Sequence, residues 1–399
     1  MKLLFVADGR SPIALNWITH LAQGPDEVHV VSTFPCPDVA GVESMHTVPV
    51  AFSGAGGAGK TSPGGTRAIK LRSTIRHWAG PLTIPAAAGK LKTLLDDIRP
   101  DLVHAMRIPY EGMLATAADP AAPLLVSIWG NDFTLHAPAS PLMRRWTALA
   151  LQRADALQTD CWRDLRLAHA LGFPDGRPEL VVPGNGGIRP EIFHPAEGDE
   201  PHTGRVAALL ASIPVDAPVI VNPRGFRAYV RNDTFFRSIP LVREFCPEAF
   251  FVCPSMAGIS EAEAWVQRSG AGSSIVLLPR LTPQEMAQVY SRALITISVS
   301  EHDGTPNTLL EAMACDCYPI AGDLDSIREW IEDGVNGSLV RADSPEDLAG
   351  AVIAALRNDD VRQQALKHNR LLIQERAAQP EVMKTIRAFY TDMLDRTGA

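Results

Sequence analysis

The sequence has no apolar run near the roughly 18 residues a helix needs to cross a bilayer, which leaves only peripheral membrane contact open. It has no CxxC pair either. Cys36, Cys161, Cys246, Cys253, Cys315 and Cys317 are scattered, and the two that lie close are separated by one residue. That excludes a metal ribbon or dithiol redox element and points to buried free thiols in a reducing compartment. The 11 histidines show no HExxH or other helical metal spacing. Positive charge is in deficit, with 37 Lys and Arg against 45 Asp and Glu and a net charge of −8. A dedicated nucleic-acid binder is excluded, because phosphate contact needs clustered cations. In the opening run MKLLFVADGRSP the apolar part is too short for a signal-peptide core and ends in a charged turn, so it reads as the first β-strand of a cytoplasmic protein.

At 399 residues the chain exceeds what one hydrophobic core organises, and two domains are expected. Short apolar runs alternate with amphipathic ones at Leu3–Ala7, Ile13–Leu21, Val28–Ser32, Lys90–Ile98 and Leu102–Ala105, the rhythm of βαβ units. Leu124–Ile128, Pro141–Ala154 and Leu180–Val182 continue it, which predicts a parallel sheet with helices on its faces. From Gly184 to Pro195 the pattern dissolves into Gly, Asn and Pro, and Ala196–His202 is acidic, so the join between domains is read here. The rhythm restarts at Val219–Asn222, Phe250–Cys253, Ile275–Leu278, Leu294–Val299, Tyr318–Ala321 and Ser338–Val340, with helices such as Pro283–Arg292 and Pro306–Ala314 between. The expectation is an α/β chain with doubly wound domains over 1–195 and 196–379 and a terminal amphipathic helix over 380–399.

Gly54–Thr61, GAGGAGKT, satisfies the P-loop pattern in which backbone amides cradle phosphates. The helix that must follow is broken by Ser62-Pro63-Gly64-Gly65, so a flexible loop is the better reading. The stretch Lys60–Arg76 carries five cations and no acid, a surface suited to an anionic acceptor or lipid headgroup, or simply a solvated basic face. Asp323-Leu324-Asp325 has the form of a metal-holding DxD pair, but two acids so spaced are common by chance, and a loop is expected.

The most informative segment is Ser298–Ile320, SVSEHDGTPNTLLEAMACDCYPI, which reads as strand, loop, helix, loop and strand. Asp303 and Gly304 fall in the loop, Thr305 at the helix threshold, and Pro306 in the first turn, where a missing N–H costs little. The amides of Thr305, Asn307 and Thr308 then face an anion with the helix dipole behind them. Glu311 lies just over a turn beyond Asn307, within reach of a diol such as a ribose while a diphosphate sits at the N-terminus. Its apolar neighbours Leu309, Leu310, Ala312 and Met313 make an idle surface carboxylate a poor account.

DGTPNTLLEAMAC followed by YPIAGDLDSIREWIEDGVNGSLV resembles the donor-site signature of the family-four retaining glycosyltransferases with the GT-B fold. The resemblance implies two Rossmann-like domains facing each other across a cleft, with the acceptor on the first, the donor on the second, and the terminal helix packed back on the first. In that family an acid, seven residues and a Glu form the motif; the first acid contacts the donor sugar and the second the ribose, roles that fall here on Asp303 and Glu311. The first position is more usually Glu, so the shorter Asp303 leaves the sugar's identity open. MKLLFVADGRSP is similar to the family's first strand and phosphate-approaching loop, with Gly9 at the turn and Arg10 beside it. LVVPGNGGIRPEIFHP resembles the end of its first domain. NPRGFRAYVRND stands where the family places two cations on the donor diphosphate: Arg224, and either Arg227 or Arg231. SIWGNDFTLHA resembles the loop facing the cleft, with Trp129 where many relatives carry His; Asn131 and Asp132 are its polar candidates, and Asp132 reads equally well as a helix N-cap.

The function so implied is metal-independent retaining transfer of a hexosyl or other glycosyl group from a nucleotide-diphosphate sugar to a sugar, lipid-linked or small-molecule acceptor. Such chemistry serves polysaccharide, glycolipid or glycoside biosynthesis. Arg224, Arg231 and the amides at Thr305–Asn307 would meet the charge on the leaving phosphate, and base recognition would run through backbone near Pro279–Leu281, with Arg280 and Leu281 as its donor-binding residues. No cofactor beyond the donor is expected. The rivals are a GT-B epimerase or phosphorylase, a P-loop nucleotide hydrolase, and a non-catalytic GT-B binding protein.

Overall fold

The computed structural model describes residues 1–53, 74–196 and 204–397. The GAGGAGKT loop, the cations Lys60 to Arg72 of the basic stretch, and most of the acidic run before His202 lie outside these residues. The chain divides into two compact units, Met1–Gly187 with Val382–Ala399, and Ile188–Glu381.

The first unit is built on strands β1 (Lys2–Ala7), β2 (Glu27–Ser32), β3 (Ser44–Thr47), β4 (Leu102–Ala105), β5 (Leu124–Ile128), β6 (Ala156–Thr159) and β7 (Glu179–Val181), in the order β3-β2-β1-β4-β5-β6-β7. All neighbours are parallel. Both faces are covered, which is why the strands read as unbroken apolar runs. Along β1, Leu4 and Val6 enter the core on one face while Leu3, Phe5 and Ala7 enter the core on the other, the two-residue alternation of a pleated strand. The polar edge strand Ser44–Thr47 carries no such run and was not anticipated.

The second unit holds β8 (Val219–Val221), β9 (Phe250–Cys253), β10 (Ile275–Leu277), β11 (Ile295–Ser298), β12 (Tyr318–Gly322) and β13 (Ser338–Val340), ordered β10-β9-β8-β11-β12-β13 and again parallel. Its helices start on local signals. Thr282 Oγ1 accepts from Glu285 N at 3.2 Å while Glu285 Oε2 accepts from Thr282 N at 2.8 Å, a capping box that opens the helix Pro283–Arg292.

The join falls earlier than the Gly and Pro content suggested, between Gly187 and Ile188 rather than after Pro195. Ile188 and Phe193 are buried in the second unit's core, and Ile188 N donates to Ala377 O at 2.7 Å, so this irregular segment already belongs to the second unit. The last helix, Gln379–Thr397, starts there too, with Gln379 N donating to Ile188 O at 2.8 Å, but from Val382 onward it completes the first unit. Val382, Met383, Ile386, Tyr390 and Met393 pack among Leu3, Phe5, Trp17 and Ile18. No helix of the described residues is long and apolar enough to cross a membrane. All six cysteines are free.

Tyr390 anchors that helix through a buried polar chain. Trp17 Nε1 donates to its hydroxyl at 3.0 Å, His104 Nδ1 lies 2.7 Å from the same oxygen, and His104 Nε2 lies 2.7 Å from Ser127 Oγ. Burial pushes the His104 imidazole down to about 3. Because this is below the 6.5 of the unfolded side chain, the unfolded chain binds the extra proton inside that window. The contribution is complete above 6.5 and drains as pH falls, by up to about 1.4 kcal/mol per pH unit. Urea unfolding from neutral pH down to about pH 4 is expected to show a shallower loss of stability in His104→Asn than in the native chain. Equal slopes would remove His104 as the acid-sensitive group.

Candidate functional site

In a parallel sheet every strand ends at one edge, and a crevice opens where the strand order reverses. In the second unit that point lies between β8 and β11. The chain leaves β8 into Asn222–Arg224 and leaves β11 into Ser300–Asp303, and the two segments meet. Arg224 forms an ion pair with Asp303 through Nη2, and Arg224 Nη1 donates to Thr308 Oγ1 at 3.4 Å. Ser300 Oγ donates to Asp303 Oδ2 at 2.9 Å, and Ser326 Oγ donates to the Asp303 carbonyl at 2.8 Å. Both members of the pair are nearly enclosed, with side-chain exposures of 9% and 12%. Asp303 thus aims the guanidinium, whose Nε is a buried donor without an acceptor.

The helix beyond spans Asn307–Ala314, one residue shorter than expected. Pro306, with φ −72° and ψ 113°, is its cap rather than its first turn, and its carbonyl accepts from Leu309 N at 2.9 Å. The first-turn amides without an intrahelical acceptor are therefore those of Asn307 and Thr308, and Thr305 lies outside the helix. Thr305 is buried, its Oγ1 accepting from Trp330 Nε1 at 2.9 Å, so it shapes the loop with Gly304. Asn307 presents a buried Oδ1 without a partner.

Glu311 is half-buried, one turn along the same helix. Desolvation pushes its carboxyl up to about 7, against the opposing pull of Arg189 and Tyr290. The Tyr290 hydroxyl also donates to the Thr308 carbonyl at 3.2 Å, tying its helix to the first turn.

Of the two candidates for a second cation, Arg231 is held by Asp233 at 2.8 Å and by Glu301 at 2.9 Å, because Val230 bridges Ser300 and brings the two segments side by side. Arg227 is exposed, and its Nη1 donates to Tyr229 Oη at 3.0 Å. Arg280 is exposed, while the Leu281 side chain packs on the core and leaves only its backbone for recognition. Asp323 is bound on both oxygens by Arg328 at 2.6 and 2.8 Å, which accords with a loop acid. Among the described residues, Asp160, Cys161 and Asp164 form a group close enough to hold an ion, but Asp164 is already paired with Arg163 at 2.7 Å.

The first unit has its own reversal, between β1 and β4. The Gly9 amide donates to Ser32 Oγ at 3.0 Å, and a Cβ there would come within 2.9 Å of the same oxygen and closer still to Cys36 Sγ, so a larger residue would have to displace both side chains. Arg10 is folded back on Asp8 at 2.9 Å and lies over the Phe34 ring. Trp129 and Asn131 each keep a buried polar atom, Nε1 and Oδ1, without a partner. Asp132 is neither an open sugar ligand nor an N-cap of the turn that follows. It is fully buried, pairs with Arg107 at 2.6 Å, and accepts from the amides of Trp129 and Ile108, both at 3.2 Å. The reason is the loop after β4, where Arg107 and Tyr110 adopt positive φ values of 114° and 74° and need an anchor.

Arg189, Tyr290, Ser300, Ser326 and Trp330 were not anticipated around the second-unit site, nor were Arg107 and Glu111 in the first. Arg189 and Trp330 lie inside sequence runs whose resemblance was noted, and Trp330 in a polar turn was the available signal.

Two family models match the chain: Glycosyl transferase 4-like over residues 2–160 and Glycosyl transferases group 1 over residues 218–358. The chain belongs to the family-four-type glycosyltransferases. D-inositol 3-phosphate glycosyltransferase of Acidothermus cellulolyticus is 27% identical over 210 residues, which is 50% of this chain and 45% of that protein. Alpha-maltose-1-phosphate synthase of Mycobacterium tuberculosis is 29% identical over 187 residues, 45% and 46% of the two chains. The chain thus spans about half the length of these curated relatives. Two solved structures share the GT-B architecture: Anabaena HepE in complex with UDP, at TM-score 0.73 and 11% identity over 98% and 100% of the chains, and sucrose-phosphate synthase from Thermosynechococcus elongatus, at 0.75 and 14% over 99% of each.

Removing the guanidinium would strand Asp303 in an enclosed site. Arg224→Met is expected to cost about 3 kcal/mol of stability in this family member, read as a lower urea midpoint. An unchanged midpoint would mean that the pair contributes nothing to the fold.

Proposed function

We propose that the chain transfers a sugar from a nucleotide-diphosphate sugar to an acceptor hydroxyl with retention of anomeric configuration. One observation carries this reading: Arg224, the open amides of Asn307 and Thr308, and the Glu311 carboxyl converge at the switch point of the second unit. A diphosphate against the helix N-terminus takes up the free amides, and the planar Arg224 fork, aimed by Asp303, takes the charge that grows on the leaving phosphate. A sugar hydroxyl reaching Asp303 joins the existing network with Ser300. Either Arg227 or Arg231 supplies the second cation, and Arg227 is the less encumbered. With these groups in place the leaving charge can be met without a metal ion. Glu311 lies one turn further on, where a ribose diol attached to that diphosphate would stand.

The acceptor belongs to the first unit in this reading. The P-loop alternative rests only on Gly54–Thr61, outside the described residues. The complexes of HepE with UDP and with UDP-glucose make UDP-sugars the first members of a thermal-shift panel, in which a specific donor raises the melting temperature. Glu311→Ala is expected to raise the dissociation constant of that donor by about tenfold or more, since a carboxyl that hydrogen-bonds two hydroxyls is lost. Unchanged calorimetric affinity would defeat the ribose role, and donor hydrolysis or transfer separates an enzyme from a binding scaffold.

A further inference from the structure

The crevice of the first unit contains a cavity of about 420 Å³, bounded by Asp8, Phe34, Arg76, His77, Arg107, Tyr110, Glu111, Trp129 and His136 among others. This is within the usual size of a small-ligand site. Two of the three arginines at it are paired directly with aspartates. Arg10 is neutralised by Asp8 and Arg107 by Asp132. Among the described residues, no carboxylate pairs with Arg76. Its guanidinium lies between two rings, 4.9 Å from the Phe34 centroid and 4.5 Å from that of Tyr110, and its Nε is buried without an acceptor.

The backbone beneath it is fastened, with the Tyr110 hydroxyl donating to Arg76 O at 2.8 Å and Ser140 Oγ donating to His77 O at 2.8 Å. The aromatic faces fix the plane of the guanidinium, so its edge is presented to a ligand at little further entropic cost. Beside it, His77 Nε2 and His136 Nδ1 lie 3.1 Å apart. Both imidazoles are held below their ordinary range, first by burial and then by neighbouring arginines, Arg76 for His77 and chiefly Arg107 for His136. Asp8 and Glu111 are the acids of the lining, and burial pushes Glu111 up to about 7 while Thr33 Oγ1 donates to it at 2.5 Å.

We propose that this cavity binds an acceptor through a phosphate monoester, gripped by the Arg76 guanidinium with His77 and His136 alongside. A compact tetrahedral dianion matches a planar fork flanked by the one outward N–H that the hydrogen-bonded pair of neutral imidazoles keeps, whereas a planar carboxylate would use the fork alone. Glu111 and Asp8 then offer acceptors to hydroxyls of the same molecule. That the phosphate is carried by the acceptor rests on the glycosyl-transfer reading; that phosphate binds at Arg76 does not.

The test uses the full chain with the second-unit site saturated by UDP, so that phosphate binding there is removed from the measurement. Calorimetric titration with inorganic phosphate and with glycerol 3-phosphate should show one site. Arg76→Gln should weaken it at least tenfold, and Arg76→Lys should restore part of the loss. Melting temperature and UDP affinity serve as controls for folding. Where Arg76→Gln proves unstable, the Nε–Hε resonance of Arg76 in the native chain must move on phosphate addition. Vesicles of phosphatidylcholine with phosphatidic acid form the second arm: binding that depends on Arg76 only with vesicles assigns the phosphate to a lipid acceptor, and binding of the soluble probes assigns it to a free one. Phosphate affinity indifferent to Arg76, a silent Nε–Hε resonance, or acetate competing as well as phosphate would overturn the proposal. A failed donor panel together with intact phosphate binding would count against the glycosyl-transfer reading alone.

Discussion

All that this chain can do at a site follows from one constraint: a parallel sheet releases its loops at a single edge, and they part only where strand order reverses. The chain has two such places, and it treats them alike. At each, an enclosed aspartate holds an arginine, Asp303 with Arg224 after β11 and β8, and Asp132 with Arg107 near the ends of β5 and β4. A guanidinium keeps its charge under any desolvation a protein imposes, while a carboxylate partner restricts its direction. Each crevice therefore acquires a cation of known orientation before any ligand arrives.

Each unit also carries one carboxyl that burial pushes up to about 7, Glu311 in the second and Glu111 in the first. Because both lie above the 4.5 of the unfolded side chain, the folded state holds the extra proton between these values. The associated stability is full below 4.5 and lost as pH rises through 7, so at neutral pH these groups weigh against the fold. The left-handed Arg107 and Tyr110 are likewise held at a cost in stability.

The architecture was legible in the sequence because strands covered on both faces leave continuous apolar runs, and the strand, loop and helix around Asp303–Glu311 were legible because their signals are local. What escaped notice depends on contact between distant segments. Trp330 meets Thr305, and Arg189 comes near Glu311, only after the second sheet has formed. Asp132 read as a polar ligand of the cleft or a helix N-cap because nothing in its own neighbourhood announces Arg107. Pro306 misled by a single position, since a proline suits both a cap and a first turn, and only its extended ψ of 113° decides. Ser44–Thr47 pairs as an edge strand through its backbone, with no apolar pattern to betray it.

The last helix gives the chain an unusual order of assembly. Residues 188–381 form a continuous unit, so they can close their cores as soon as they emerge from a ribosome. The unit that begins with Met1 is different: until residues 382–397 follow, Trp17 and His104 lack the hydroxyl of Tyr390, and one face of the first sheet is only partly covered. The part made first is finished last. During synthesis its apolar face must wait through the whole of the second unit, a period in which chaperone capture and aggregation compete with folding.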